Sequence, residues 1–164
     1  MTSSVVSLRR LARADAGQYQ VLRIEACADP AFAMPVAALA DLSVAAIYSA
    51  YLADPSRQVL GAFVDDQLMG IAHIDPAPAD QAFVLWGFYI SHEYRRRGLG
   101  QVLLDATVGL CRQRGAERLT LQVQDQNLAA QALYMGNGFR RLPATPGDRQ
   151  QPAQEHTLAL AFRH

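Results

Sequence analysis

Six residues, Arg95-Arg96-Arg97-Gly98-Leu99-Gly100, constrain this chain more than any other stretch. They follow the apolar run Phe83-Val84-Leu85-Trp86-Gly87-Phe88-Tyr89-Ile90 and open an amphipathic run beginning at Leu99. The order is strand, basic glycine-containing loop, helix. Such a loop can aim several backbone N–H groups at one anion, and the helix N-terminus adds partial positive charge. Gly98 and Gly100 permit a close approach that a Cβ would block. Arg95, Arg96 and Arg97 add charge where a polyphosphate would sit. The stretch therefore reads as a seat for the pyrophosphate of a nucleotide-like cofactor. A triphosphate P-loop needs Gly-x-x-x-x-Gly-Lys-[Ser/Thr], which is absent. A dinucleotide fingerprint needs a third glycine where Gln101-Val102-Leu103 stands. The bland alternative for the loop alone is a solvated basic turn.

Along the chain, periodicity places the remaining elements. Val5–Leu11 reads as a strand, with Asp15 as the cap of a helix over Ala16–Ala28 that Asp29-Pro30 breaks. Leu39, Leu42, Ala46, Ile47 and Ala50 recur at helical spacing and predict a second helix over 36–53. Arg57–Val64 and Leu68–Asp75 read as strands joined at Asp65-Asp66-Gln67, and a long strand runs from Gln81 to Ser91. Leu99, Leu103, Ala106 and Leu110 mark a helix ending near Gly115. The alternation Leu119, Leu121, Val123 predicts a strand. A short helix over Asn127–Gly136, a strand over 139–142, a polar loop over Pro143–Pro152 and a strand over His156–Phe162 complete the chain. That last strand offers an edge through which a homodimer could pair.

The order βααβββαβαββ predicts one mixed α/β domain spanning residues 1–164. A length of 164 residues suffices for a single substantial core. Fifteen basic residues balance fifteen acidic ones, which argues against a general nucleic-acid binder. Arg9-Arg10 and Arg140-Arg141 read as solvated surface. Cys27 and Cys111 are too few for a secreted disulfide scaffold, and Cys111 falls on an apolar helix stripe as a buried thiol. No run resembles a signal peptide or a membrane span, so a reducing cytoplasm is expected. His73, His92, His156 and His164 lack metal-ligand spacing, and no metal is expected.

Two motifs carry a family resemblance. Arg95-x-x-Gly98-x-Gly100 resembles the [Gln/Arg]-x-x-Gly-x-[Gly/Ala] signature of the GCN5-related N-acetyltransferases (GNAT), which bind acetyl-coenzyme A (acetyl-CoA). Asn127-Leu128-Ala129-Ala130-Gln131-Ala132-Leu133-Tyr134, with Gly136-Asn137-Gly138-Phe139, resembles that family's later motif of Asn, Tyr and closing Gly-Phe. The resemblance covers about Phe83 to Phe139. It implies the acyl-CoA N-acyltransferase (GNAT) fold, a mostly antiparallel mixed sheet flanked by helices. It also implies direct transfer of an acetyl group from acetyl-CoA to a primary amine of a small molecule, amino acid or peptide.

The resemblance assigns roles residue by residue. Arg95, Arg96, Arg97, Gly98, Leu99, Gly100 and Gln101 would hold the pyrophosphate, chiefly through backbone amides. Phe88, Tyr89 and Ile90 would lie along the pantetheine arm, one of their N–H groups polarising the thioester carbonyl. Asn127 would contact the cofactor, and the Tyr134 hydroxyl would protonate the leaving thiolate. Asn127, Gln131 and Tyr134 share a helix face by their spacing, while Leu128, Ala132 and Met135 form the apolar stripe expected to seat that helix. Tyr134 also fits a plain core tyrosine. Where some relatives carry a glutamate base this chain has Val84, which cannot take a proton. His73, Asp75, Glu93 and a chain of waters remain as alternatives, His73 fitting a structural role as well. Phe32, Met34, Tyr48, Tyr51 and the loop over 143–152 would build the acceptor site, too poor in carboxylates for a highly cationic acceptor such as an aminoglycoside. The rival function is a non-catalytic acyl-CoA sensor on the same fold.

Overall fold

A computed structural model describes residues 3–30, 32, 39–143 and 155–163. Its elements run β1 (Val6–Arg10), α1 (Ala16–Ala28), α2 (Val44–Ile47), β2 (Gln58–Val64), β3 (Gln67–Pro76), β4 (Ala82–Ile90), α3 (Leu99–Gln113), β5 (Arg118–Gln124), α4 (Leu128–Gly136), β6 (Arg140–Arg141) and β7 (Glu155–Ala161). Among the described residues the strands form one sheet in the order β1-β2-β3-β4-β5-β7-β6. Every neighbouring pair is antiparallel except β4 with β5. The mixed α/β sheet expected from the element order, mostly antiparallel as the resemblance implies, is what the chain folds into.

Local chemistry explains the joints. Asp65 and Asp66 both have positive φ, 48° and 66°, as a two-residue hairpin turn between right-twisted strands requires. Gly115 closes α3 in the left-handed region, with φ 75°. α3 buries Leu99, Leu103, Leu104, Thr107 and Cys111, a stripe slightly rotated from the expected Ala106 and Leu110 positions. Burial pushes the Cys111 thiol up to about 11, so it stays protonated and inert. No described helix is long and apolar enough to cross a membrane.

Several expectations are corrected. The second helix is not continuous over its described part, residues 39–53. Ser43 accepts the Ala46 N–H at 3.1 Å and starts α2 afresh, and Tyr48–Leu52 then widens into a π-turn. Asp15 stands at the head of α1 without capping it; its carboxylate takes the Ala12 N–H at 2.7 Å and both Arg9 Nη groups at 2.7 and 2.9 Å. Arg9 is therefore paired and stacked on the Phe63 ring, not merely solvated. β7 is not an edge strand, because β6 pairs with it at Ala159 and Leu158. Met34 and residues 144–152 of the acceptor loop lie outside the described residues.

The sheet divides two cores. One, against α3 and α4, gathers Leu60, Ile74, Phe83, Leu85, Leu103, Leu104, Leu119, Leu121, Tyr134 and Phe139. The other, against α1 and α2, gathers Leu11, Tyr19, Leu22, Ile47, Phe63, Ile71 and Tyr89. β4 contributes to both by means of a bulge. Ile71 pairs with Tyr89 but His73 with Trp86, so Ala72 faces both Gly87 and Phe88. Gly87 takes φ 56°, the left-handed conformation such a bulge needs, and a Cβ there would run into the His73 ring.

Candidate active site

β4 and β5 pair only where Ala82–Val84 meets Arg118–Thr120. Beyond that point the parallel strands part, since β4 continues to Ile90 and β5 to Gln124. The wedge between them holds two adjoining cavities of about 450 and 390 Å3. Phe32, Phe88, Asn127 and Ala130 line both. The smaller cavity runs along Phe88, Tyr89 and Ile90 to Arg95, Arg96 and Gly100. The larger carries Val84, Trp86 and Tyr134, with polar residues of β5 and β7.

At the loop, Gly98 holds the N-cap of α3 with φ 81°, and Arg96 has φ 60°. A β-carbon at Gly98 would meet no neighbour, so glycine is needed there for conformation rather than space. The first N–H bonded inside α3 is that of Val102, to the Gly98 carbonyl at 3.2 Å. The N–H groups of Leu99, Gly100 and Gln101 thus stand at the positive helix end without helical partners. The three arginines part company. Arg95 binds Asp29 at 2.5 Å and the Ile90 carbonyl at 3.2 Å, fastening the loop to the end of α1. Arg97 stacks on Tyr94 and, with Gly98 and Leu99, lines a separate groove beside β1. Arg96 is exposed and lines the smaller cavity.

On the opposite wall the Asn127 side-chain Oδ1 accepts the Ala130 N–H at 3.2 Å, capping α4 at the point where the two cavities meet. The Gln101 side chain lines neither cavity; it forms a reciprocal amide pair with Asn137, at 2.7 and 3.0 Å. Gln131 turns from the shared polar face to donate to the Gln124 and Asp125 carbonyls, at 2.8 and 3.0 Å. The apolar stripe of α4 is a further correction: Leu128 is 72% exposed and Met135 55%. The helix is seated instead through Leu133, Ala130 and Tyr134, whose ring meets Phe88 edge-on and packs against Phe139. Burial alone raises the Tyr134 hydroxyl well above its ordinary value of 10. It therefore keeps its proton throughout the neutral range, as a donor must.

The candidate bases are placed apart. His73 is 1% exposed, stacked on Trp86 with ring centroids 3.8 Å apart. Its Nδ1 lies 3.2 Å from the Trp86 carbonyl, so Nδ1 carries the proton and Nε2 accepts from the Tyr19 hydroxyl at 2.7 Å. Burial and the neighbouring Arg23 push its pKa down to about 3. A base so weak, with its lone pair already engaged, is a structural group. Asp75 accepts from the Trp86 indole at 2.9 Å. Glu93 lines a groove beside α1, away from the wedge. Tyr48 and Tyr51 pack against the α1–α2 core and line neither wedge cavity.

Two residues that the sequence reading does not single out matter here. Arg23 is 3% exposed, donates to the Tyr19 hydroxyl at 2.7 Å, and lies over the Tyr19, Tyr51 and Trp86 rings. Its signal is positional: it falls four residues after Tyr19, on the stripe that α1 buries. Glu155 lines the larger cavity. It follows the polar loop directly, and no motif marks it.

Comparison with known proteins agrees with this architecture. A structure of a GNAT-family acetyltransferase from Streptococcus pneumoniae superposes with TM-score 0.78 at 20% identity, covering 97% of this chain and all of that one. PaiA N-acetyltransferase from Thermoplasma acidophilum, solved with coenzyme A, gives 0.73 at 18% identity, covering 96% of this chain and 99% of that one. At such identities the likeness is one of fold. A [ribosomal protein bS18]-alanine N-acetyltransferase of Salmonella typhimurium is 36% identical over 75 residues, 46% of this chain and 49% of its own. The chain thus spans about half the length of that relative. The description of the Acetyltransferase (GNAT) family matches residues 21–139, and the chain belongs to that family.

Proposed function

We propose that the protein is an acetyl-CoA-dependent N-acetyltransferase, moving an acetyl group directly to a primary amine of a small molecule, an amino acid or a peptide. The observation that carries this is the wedge. It joins a basic helix N-terminus, a bulged strand and a buried proton donor around one continuous space. The free N–H groups of Leu99, Gly100 and Gln101, with Arg96, fit a pyrophosphate. A Cβ on Gly100 would already stand in van der Waals contact with Leu133 at 3.6 Å and Ile90 at 3.7 Å. Phe88, Tyr89 and Ile90 fit an extended amide-bearing arm beside the strand.

Acetyl-CoA would supply an acetyl group activated as a thioester. The chain's own part is to hold it, polarise its carbonyl and protonate what leaves. The bulge takes one residue of the Gly87–Phe88 pair out of the ladder with β3, which frees a backbone N–H as an oxyanion donor. Tyr134, protonated at neutral pH and lining the larger cavity, would serve the thiolate.

The experiment is a steady-state assay of free thiol over a panel of amines, including a peptide beginning with alanine because the Salmonella relative's name specifies that residue. Mass spectrometry identifies the acetylated product. Release with a subset of amines is the expected result. Binding of acetyl-CoA with no turnover on any acceptor would instead identify a sensor.

A further inference from the structure

β5 and β7 present opposite characters on their two faces. Leu119, Leu121 and Val123 are buried in the core beneath α3. Strand alternation turns Thr120, Gln122 and Gln124 the other way. Their antiparallel neighbours share that face: Thr157 stands opposite Gln122, and Glu155 opposite Gln124. α1 packs over β3 and the Tyr48–Leu52 turn over β2, leaving this polar wall to the larger wedge cavity. Thr120, Gln122, Gln124, Asn127 and Thr157 are neutral there, and among the described lining residues Glu155 supplies the single carboxylate.

We propose that Glu155 receives the ammonium group of the acceptor and takes its proton, so that the acceptor is a cationic amine entering over the polar face of β5 and β7. The assignment rests on the transferase reading above and deepens it. A carboxylate is an acceptor-only group that pairs with ammonium, and the flanking amides and hydroxyls supply neutral hydrogen bonds to the rest of the molecule. No ion pair or side-chain hydrogen bond among the described residues involves Glu155, so its charge is not spent within the protein. Tyr134 faces the same cavity from α4. His156, next along β7, alternates to the other face and pairs with Asp125. Val84, which stands where some relatives of this family carry a base, lines the same space.

The steps balance without a further reactant. One ammonium proton passes to Glu155 and on to solvent, and the freed nitrogen lone pair forms the N–C bond. As the C–S bond of the acyl thioester breaks, the nitrogen gives its second proton to the Glu155 carboxylate and the thiolate takes the Tyr134 proton. The proton on Glu155 then returns through solvent to Tyr134, so that each turnover releases one proton.

The test compares wild type, Glu155→Gln and Glu155→Asp with an amine that the wild type acetylates. For Glu155→Gln, kcat/KM for the amine should fall by about 10²-fold at pH 7, with acetyl-CoA affinity unchanged by calorimetry. The deficit should shrink as pH approaches the pKa of the amine, where the nucleophile no longer needs deprotonation. Glu155→Asp should retain part of the activity, and carries the test should Glu155→Gln fail to fold. Wild-type rates in either folded variant, a deficit equal at every pH, or a matching loss of acetyl-CoA affinity would each overturn the assignment. A wild type that binds acetyl-CoA yet releases thiol with no amine sinks the transferase reading, and this assignment with it.

Discussion

The two faces of the sheet are built on different principles. Beneath α3 and α4 the core is largely hydrocarbon; apart from the Tyr134 hydroxyl at its edge, the buried polar side chain is Thr107, satisfied by its own helix in donating to the Leu103 carbonyl at 2.8 Å. Beneath α1 the protein buries Arg23 and His73 together with the Tyr19 hydroxyl, linked in a chain stacked among aromatic rings. The first face gains stability from area alone. The second gives up some of that gain, because each buried polar group must keep its partner or cost about 1–3 kcal/mol. The lesson is one of division of labour. The apolar face anchors the helix that follows the glycine loop, and the polar face positions the bulged strand that forms one wall of the wedge.

The largest effect should come at the seam between the faces. Gly100→Val inserts a side chain where even a Cβ is already in contact, so calorimetry should show no saturable acetyl-CoA binding by a folded variant. Unchanged affinity would remove the loop from the site. On the apolar face, Leu103→Ala should cost about 2–5 kcal/mol in urea unfolding, since Leu103 is completely buried and its neighbours relax only partly. A loss under about 1 kcal/mol would mean that this core is not close-packed.

Tyr134→Phe keeps the ring contacts with Phe88 and Phe139 and removes the donor. Turnover should fall by about 10²-fold, some 2.7 kcal/mol, with acetyl-CoA affinity nearly unchanged. Lost affinity with retained turnover at saturation would make the hydroxyl a binding contact. A further effect separates the faces by pH. His73 titrates at about 3 when folded, against about 6.5 when unfolded. The unfolded chain therefore binds the extra proton first, and stability falls as pH drops from about 6.5 towards 3. The slope from this residue is about 1.4 kcal/mol per pH unit. Unfolding free energies for wild type and His73→Gln between pH 7 and 4 should diverge in slope by that amount. Parallel curves would show that the histidine is not held neutral.

Element order is legible in the sequence because the apolar periods are clean and the breakers sit at the joints. Asp29-Pro30, Asp65-Asp66 and Gly115 end elements where their chemistry says they should. The glycine loop and the helix start after it are legible for the same reason, since they are local features. The seating of α4 is not. Leu128, Ala132 and Met135 look like an inward stripe, yet the residues that reach the core are set by the closing of the wedge around Asn127 and Tyr134. The partner of Arg95 is not legible either, because Asp29 stands 66 residues away in sequence. Partners distant along the chain leave no local period to read. The wedge itself depends on where β4 and β5 stop pairing, a tertiary fact.

The bulge at Gly87 has a consequence for how this strand tolerates change. It puts β4 out of phase with itself: Phe83 and Leu85 point towards α3, and so do Phe88 and Ile90, although an odd step separates the two pairs. Removing one residue at position 87 would restore an unbroken ladder with β3 and leave every side chain on its present face, because the step from Leu85 to Phe88 would become even. Replacing a residue on either side asks nothing of the other half. The strand thus behaves as two short strands sharing one backbone, with the extra residue at the bulge as their joint.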